Sequence, residues 1–160
     1  MRWERSWRAD PTVVPLADRH YNRQKVGAPH FVPPGGCVVL VTPERTAFWV
    51  TSTPKAEYVQ HDWAGAWMNS AFRNEGGGLS SELITEAVAA TRFLLGDPPP
   101  LGFVTFIDRE KVRRKRDFGR CYRRAGWIVA GETKGGLLAL QLRPEDFPHA
   151  EAPLGEFALT

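Results

Sequence analysis

Ser70-Ala-Phe-Arg-Asn-Glu-Gly-Gly-Gly-Leu-Ser-Ser81, running on into Glu82-Leu-Ile-Thr-Glu-Ala-Val-Ala-Ala-Thr-Arg-Phe-Leu-Leu-Gly96, carries an apolar strand through three consecutive glycines into an amphipathic helix. Leu83, Ile84, Ala87, Val88, Ala90, Thr91 and Leu94 recur at helical spacing on one broad face. Ser80 and Ser81 offer N-caps, and Gly96 followed by Asp97-Pro-Pro-Pro100 stops the helix. Glycines let main-chain N–H groups approach a ligand without side-chain interference, and a helix N-terminus adds unsatisfied donors and a partial positive charge. The stretch therefore predicts a phosphate or pyrophosphate site, with Arg73, Asn74, Gly76, Gly77, Gly78, Leu79, Ser80 and Ser81 around it.

Upstream, Cys37-Val-Val-Leu-Val-Thr42, a turn at Pro43-Glu-Arg45 and Thr46-Ala-Phe-Trp-Val-Thr-Ser52 read as a β-hairpin. Ala66-Trp-Met-Asn-Ser-Ala-Phe-Arg73 is a third strand that leads into the glycines. The run from Pro15 to Gln24 predicts a short helix with proline in its first turn, and the Pro- and Gly-rich stretch from Gly27 to Gly36 predicts a loop. The Trp- and Arg-rich start of the chain, to about Val14, reads as an edge strand or an arm.

Downstream, Leu101-Gly-Phe-Val-Thr-Phe-Ile107 is apolar enough for a central strand covered on both faces, and it delivers Asp108 at its C-terminal end. A short helix over Gly119 to Ala125 and strands at Trp127–Gly131 and Leu137–Leu142 follow, and the tail from 144 to 160 reads as irregular or frayed. The elements make an α/β (α+β) chain of one domain over residues 1–160, its core at about 12–143.

A chain of 160 residues suffices for one proper core, and 42% hydrophobic with 11% aromatic residues excludes a disordered chain. The formal charge of +3 argues only weakly for a polyanionic partner, but its distribution argues more strongly. Arg109-Glu-Lys-Val-Arg-Arg-Lys-Arg-Asp-Phe-Gly-Arg-Cys-Tyr-Arg-Arg124 is far more basic than any other stretch. Cys37 and Cys121 lie apart in unlike settings, so they signal neither a metal knuckle nor a disulfide framework, and both read as buried or half-buried thiols. No apolar run approaches the roughly 18 residues of a membrane span, and Trp3, Trp7 and several charges interrupt the start of the chain, which predicts a soluble, cytoplasmic protein.

The order helix, three strands, glycine turn, helix, strand, short helix, two strands is similar to that of the GNAT acyltransferase superfamily. Arg73-Asn-Glu-Gly-Gly-Gly78 resembles the superfamily's Gln/Arg-x-x-Gly-x-Gly/Ala turn for acyl-CoA pyrophosphate, with Arg73, Gly76 and Gly78 at the matching positions. Cys121-Tyr-Arg-Arg-Ala-Gly-Trp127 resembles its aromatic-x-x-x-Gly-Phe segment, where a tyrosine commonly faces the thioester sulfur, and Tyr122 is the matching residue. Within the superfamily the likeness is to the phage Mu Mom DNA-modification family. It is carried by His20-Tyr21, by Ser-x-Phe-Arg-Asn-Glu-Gly from Ser70 to Gly76, by Thr105-Phe-Ile-Asp108 and by Arg120-Cys-Tyr-Arg-Arg-Ala-Gly-Trp127, and it spans roughly Pro15 to Leu142.

The resemblance implies a mixed, mostly antiparallel sheet splayed around an acyl-CoA site and flanked by helices. It also implies acetyl-CoA or a related acyl-CoA as donor, and conversion of adenine in double-stranded DNA to an N6-carbamoylmethyl derivative that protects phage DNA from restriction. The location it implies is the cytoplasm of a phage-infected or prophage-carrying bacterium. An ordinary GNAT N-acetyltransferase acting on a protein or small amine, and an inactive GNAT-shaped DNA-binding module, are the alternatives.

His20, Tyr21, Asp108 and Tyr122 are the candidate catalytic residues. A histidine before the Pro- and Gly-rich loop can serve as a general base or a metal ligand, or it can satisfy backbone groups at a helix end. No metal follows from the residues themselves. Asp108 can orient or deprotonate an amine, pair with His20, or cap the next turn. Tyr122 can protonate the departing CoA thiolate, or bury an aromatic ring whose hydroxyl finds a backbone partner. Lys111, Arg113, Arg114, Lys115, Arg116, Arg120, Arg123 and Arg124 are candidates to grip DNA phosphates, or in part the 3′-phosphate of CoA. An amine inside a duplex is shielded by stacking, so the adenine would have to flip out, with Trp49, Tyr58, Trp63 and Trp67 as candidates to stack on it. His30 and His61 read as surface residues of loops.

Overall fold

The computed structural model describes residues 1–20, 23–32, 35–54, 59, 61–111 and 117–156. Their strands join one seven-stranded sheet. In chain order the elements are β1 (Glu4–Ser6), α1 (Val14–Asp18), β2 (Gly36–Val41), β3 (Ala47–Thr53), β4 (Trp67–Asn74), α2 (Ser80–Leu95), β5 (Phe103–Ile107), α3 (Arg120–Arg124), β6 (Ile128–Glu132) and β7 (Leu138–Leu142). Across the sheet the order is β1-β2-β3-β4-β5-β7-β6, and only β4 and β5 run parallel, because α2 forms the crossover between them. No helix among the described residues is long and apolar enough to cross a membrane.

Strand alternation divides the core into two faces. Val38, Leu40, Ala47 and Trp49 point to the side covered by α2 and α3, where they pack with Trp3, Leu83, Ile84, Phe103, Tyr122 and Trp127. Val39, Val41, Phe48 and Val50 point the other way, against Val13, Leu16 and Ala17 of the α1 region. β5 is covered on both faces as expected, with Phe103 and Val104 fully buried in different clusters.

Three expectations need correction. α1 ends at Asp18 rather than continuing to Gln24, because Asp18 Oδ1 accepts the Gly27 N–H and the Arg23 Nε, each at 2.9 Å, and so turns the chain into a loop. The core begins before residue 12: Trp3 is fully buried beside the edge strand β1, and its Nε1 donates to Leu83 O of α2 at 2.8 Å. The tail is irregular but tethered. Pro144–Asp146 forms a single 3-10 turn, Phe147 stacks on Phe103, Glu151 N donates to Ala89 O, and Leu154 N donates to Trp3 O at 2.8 Å. Neither cysteine forms a disulfide, and both are half-buried.

Candidate functional site

β4 and β5 stay paired at only three positions, Trp67 with Phe103, Met68 with Val104 and Asn69 with Thr105. Beyond these, β4 continues along β3 and β5 continues along β7, so the sheet parts. A β-bulge marks the branch. Val50 pairs with Ala71 and Thr51 with Asn69, which leaves Ser70 as the extra residue on β4. The Asn69 side chain closes the bulge by donating from Nδ2 to Val50 O at 3.0 Å and to Ala71 O at 2.8 Å. Ser70 Oγ lies 2.9 Å from Ser52 Oγ.

Two adjoining cavities open at the parting. The smaller, about 260 Å³, is the wedge itself, lined by Asn69 to Asn74 on one side, Thr105 to Ile107 on the other, and Ser80, Phe118, Gly119, Cys121 and Tyr122 at its back. The larger, about 630 Å³, lies on the α1 face, where Phe31, Phe48, Met68, Phe106 and Leu137 supply an apolar lining and His20, Arg23, His30, Asp108 and Lys111 the polar part. His20, Asn69, Ser70, Ala71 and Phe106 line both, so one strand segment with two flanking rings divides the two spaces.

The glycine turn lies against the smaller cavity through Arg73, Asn74 and Ser80. Gly76 and Gly78 hold backbone φ of 109° and 124°, a region that side chains rarely adopt. The serines are not the caps. The N-cap residue of α2 is Leu79, without a side-chain cap, and Ser80 and Ser81 are the first helical residues. Asn74 organises the turn instead: Oδ1 accepts the N–H of Gly76 at 3.2 Å and of Gly77 at 2.8 Å, while Nδ2 donates to Gly78 O at 2.7 Å and to Ser80 Oγ at 2.9 Å. The Gly76 and Gly77 donors therefore face inward. The N–H groups of Leu79, Ser80, Ser81 and Glu82 have no acceptor among the described residues, and these are the donors a phosphate could take. Arg2 stands over the same turn, bonded to Glu82 at 2.8 Å and Glu86 at 2.9 Å, in the space a side chain at Gly78 would need.

Arg73 is held by Glu75 and by Arg19 O, the latter at 2.9 Å. Arg19 grips the same carboxylate with two bonds of 2.8 Å, and the two guanidinium groups, Arg19 foremost, hold Glu75 down at about 2. This links the glycine turn to the residue that precedes His20. His20 itself is buried, edge-to-face with Phe48 at 6.3 Å.

Tyr122 is buried at the back of the smaller cavity, and its hydroxyl donates to Asn69 Oδ1 rather than to the backbone. Asp108 lines the larger cavity, and its Oδ1 accepts the Glu110 N–H at 3.0 Å, so it caps the turn after β5. Tyr21, Tyr58, Arg113, Arg114, Lys115 and Arg116 lie outside the described residues. Trp49 and Trp67 are corrected from base-stacking candidates to core residues on the α2 face, where inward strand positions bury them. Trp63 is half-buried against Phe106 and His61.

His61 is likewise not a plain surface residue: it packs 4.8 Å from Phe106, its Nδ1 accepts the Trp63 N–H, and burial lowers its pKa. Lys111 is exposed at the larger cavity, and Arg120 is exposed at the start of α3. Arg123 pairs with Asp117, whereas Arg124 stands with Arg2 and Ser81 at the N-terminal end of α2, on the opposite face from Lys111.

Asn69, Phe31, Phe48 and Phe106 line these cavities, and the sequence does not single them out. A carboxamide inside the aromatic strand Trp67-Met-Asn-Ser-Ala-Phe is the signal for the first, since a buried amide needs partners. Alternation carries no such signal for the phenylalanines, which look like core. No family model, curated protein or solved structure matches the chain.

Proposed function

We infer that the protein is an acyl-CoA-dependent transferase with a GNAT-like architecture that modifies adenine in DNA. One observation carries this reading: a sheet that parts between a parallel strand pair, with a donor-rich helix N-terminus at one mouth and an aromatic-floored cavity at the other, meeting at Asn69 to Ala71. The N–H groups of Leu79 to Glu82 and the α2 dipole suit the pyrophosphate of acyl-CoA, with Arg124 beside them for a further phosphate. A thioester in the smaller cavity then lies by Tyr122, the proton source for the departing thiolate.

The larger cavity, with Phe31, Phe48 and Phe106 around it, suits a flat base turned out of the duplex. His20 borders both spaces and is the group to take a proton from the attacking amine, with Asp108 available to orient it. Lys111, Arg120 and the basic segment from Arg113 to Arg116 supply the phosphate contacts. A carbamoylmethyl product joins N6 to the methyl carbon of the acetyl group: ammonia displaces the thiolate at the carbonyl carbon to give the amide, and the new N6–C bond replaces one N–H and one C–H bond whose two electrons and two protons pass to an oxidant, so ammonia and a two-electron oxidant are co-reactants.

The reading of an N-acetyltransferase for a protein or small amine draws on one observation. Arg109 pairs with Glu132 and Arg123 with Asp117, which reduces the basic surface near the cleft. Co-expression with a plasmid, followed by nucleoside mass spectrometry, decides between them. Carbamoylmethyl adenine is the expected product, and unmodified adenine beside a soluble protein that binds acetyl-CoA in calorimetry overturns the DNA reading. No acetyl-CoA binding overturns both enzyme readings.

A further inference from the structure

Asn69 is 4% exposed in the interior of β4. A buried carboxamide needs acceptors for two N–H bonds and a donor for its oxygen. Here the partners come from different elements. Both amide hydrogens go to main-chain carbonyls, Val50 O of β3 and Ala71 O beyond the bulge. The oxygen takes the Tyr122 hydroxyl of α3, and Thr105 Oγ1 of β5 donates to Asn69 O at 3.0 Å while standing 3.4 Å from Oδ1. Because both carbonyls can only accept and only the Nδ2 end of the carboxamide donates, the carboxamide cannot turn over. Its oxygen must face Tyr122, and the hydroxyl proton must point at it.

We propose that Asn69 is a positioning residue for departure of the CoA thiolate, acting through Tyr122. This rests on reading the smaller cavity as the acyl-CoA site. Whichever nitrogen attacks the thioester carbonyl carbon, the C–S bond breaks and its electron pair leaves on sulfur. The Tyr122 hydroxyl swings its proton from Asn69 Oδ1 to that sulfur, forming S–H and a phenolate, and the proton shed by the attacking nitrogen restores the phenol. While the proton is away, Thr105 Oγ1 is the donor within reach of Asn69 Oδ1, so the buried oxygen is not left bare. The bulge and the proton donor are thus set by one side chain.

The test is the steady-state release of CoA thiol from acetyl-CoA with duplex DNA, ammonium and a two-electron acceptor present, for the unsubstituted protein, Asn69→Ala, Asn69→Ser, Tyr122→Phe and the double variant Asn69→Ala/Tyr122→Phe. The Asn69 variants are expected to lose about tenfold or more in kcat while the acetyl-CoA Kd from calorimetry stays within about twofold. Adding Tyr122→Phe to Asn69→Ala is expected to give no more than the loss of Tyr122→Phe alone. An unchanged kcat in both Asn69 variants, or losses that multiply in the double variant, overturns the proposal. If neither Asn69 variant folds, NMR of the unsubstituted protein decides: a slowly exchanging Tyr122 hydroxyl proton with a cross-peak to the Asn69 side chain supports the proposal, and a hydroxyl in fast exchange overturns it. Failure of the unsubstituted protein to release thiol overturns the reading of the cavity, and the proposal with it.

Discussion

Glu75→Gln removes the carboxylate that Arg19 and Arg73 share while keeping the shape of the side chain. Three guanidinium hydrogen bonds converge on that carboxylate, and Glu75 N also donates to Thr46 O at the end of the β2–β3 hairpin. The arginines hold the carboxyl down from 4.5 to about 2. A depression of that size corresponds to roughly 3 kcal/mol if fully expressed. Arg19 and Arg73 are 49% and 35% exposed, so solvent screening reduces the contribution to about 1 kcal/mol. Because the folded value lies below the unfolded one, this stability is fully present above about pH 4.5 and is lost as pH falls through about 2. Calorimetric melts of both proteins should therefore show Glu75→Gln lower by about 2–4 °C near neutral pH. The gap should shrink as the pH approaches about 3 and as salt is added. An equal gap at both pH values, or none at neutral pH, would show that the triad is not held by charge.

Asn74→Ala removes four hydrogen bonds inside the glycine turn and should cost about 2 kcal/mol in denaturant unfolding, with weakened acetyl-CoA binding in the same preparation. Trp3→Ala should cost about 3–5 kcal/mol, since it empties a fully buried site shared by β1 and α2, and a smaller loss in urea melts would place the N-terminal segment outside the cooperative core. Replacing Arg113, Arg114, Lys115 and Arg116 by Gln should weaken duplex DNA binding uniformly across sequences and lower the salt slope by about 0.9 for each phosphate no longer neutralised. An unchanged slope would show that the segment makes no contact with DNA phosphates.

Periodicity makes the apolar face and the C-terminal end of α2 legible, because that face, the glycine stop and the prolines after it agree with one another, whereas its start differs from the serine caps that composition offers. The hairpin and the last two strands were legible within a residue or two for the same reason. α1 was not, because its end is set by Asp18 accepting from Gly27 and Arg23, bonds across a loop that no local propensity carries. Composition offers the serines as caps, but Leu79 is the N-cap residue and the Ser80 hydroxyl takes a bond from Asn74 Nδ2, a contact across six residues that a four-residue window cannot see. Asp108 could be read as a site residue or a turn cap, and the structure shows the cap formed at the edge of the larger cavity. The tryptophans look alike in sequence, yet the phase of their strands sends Trp49 and Trp67 into the α2 face. The branch point at Asn69 depends on a register shift, and register is a relation between strands rather than a property of either.

The Arg19–Glu75–Arg73 triad ties the glycine turn at the smaller cavity to the chain beside the larger one. Arg73 belongs to the turn that offers donors to a phosphate, and Arg19 directly precedes His20, which borders both spaces. The guanidinium of Arg73 is bound to the main-chain oxygen of Arg19, so a displacement of Arg73 toward a phosphate pulls on the backbone one residue from His20. An anion at the turn would compete with Glu75 for the arginines, and Glu75, with its carboxyl held near 2, is charged at neutral pH. On the proposed function, in which the smaller cavity holds the acyl donor and the larger one the base, sites joined this way should be coupled in both directions, since a linkage in free energy is reciprocal. Acetyl-CoA affinity measured by calorimetry with and without DNA should then differ in the unsubstituted protein. The difference should shrink in Glu75→Gln, where the arginines are no longer tied to one carboxylate. Equal affinities with and without DNA in the unsubstituted protein would mean that the triad only braces α1 against the turn.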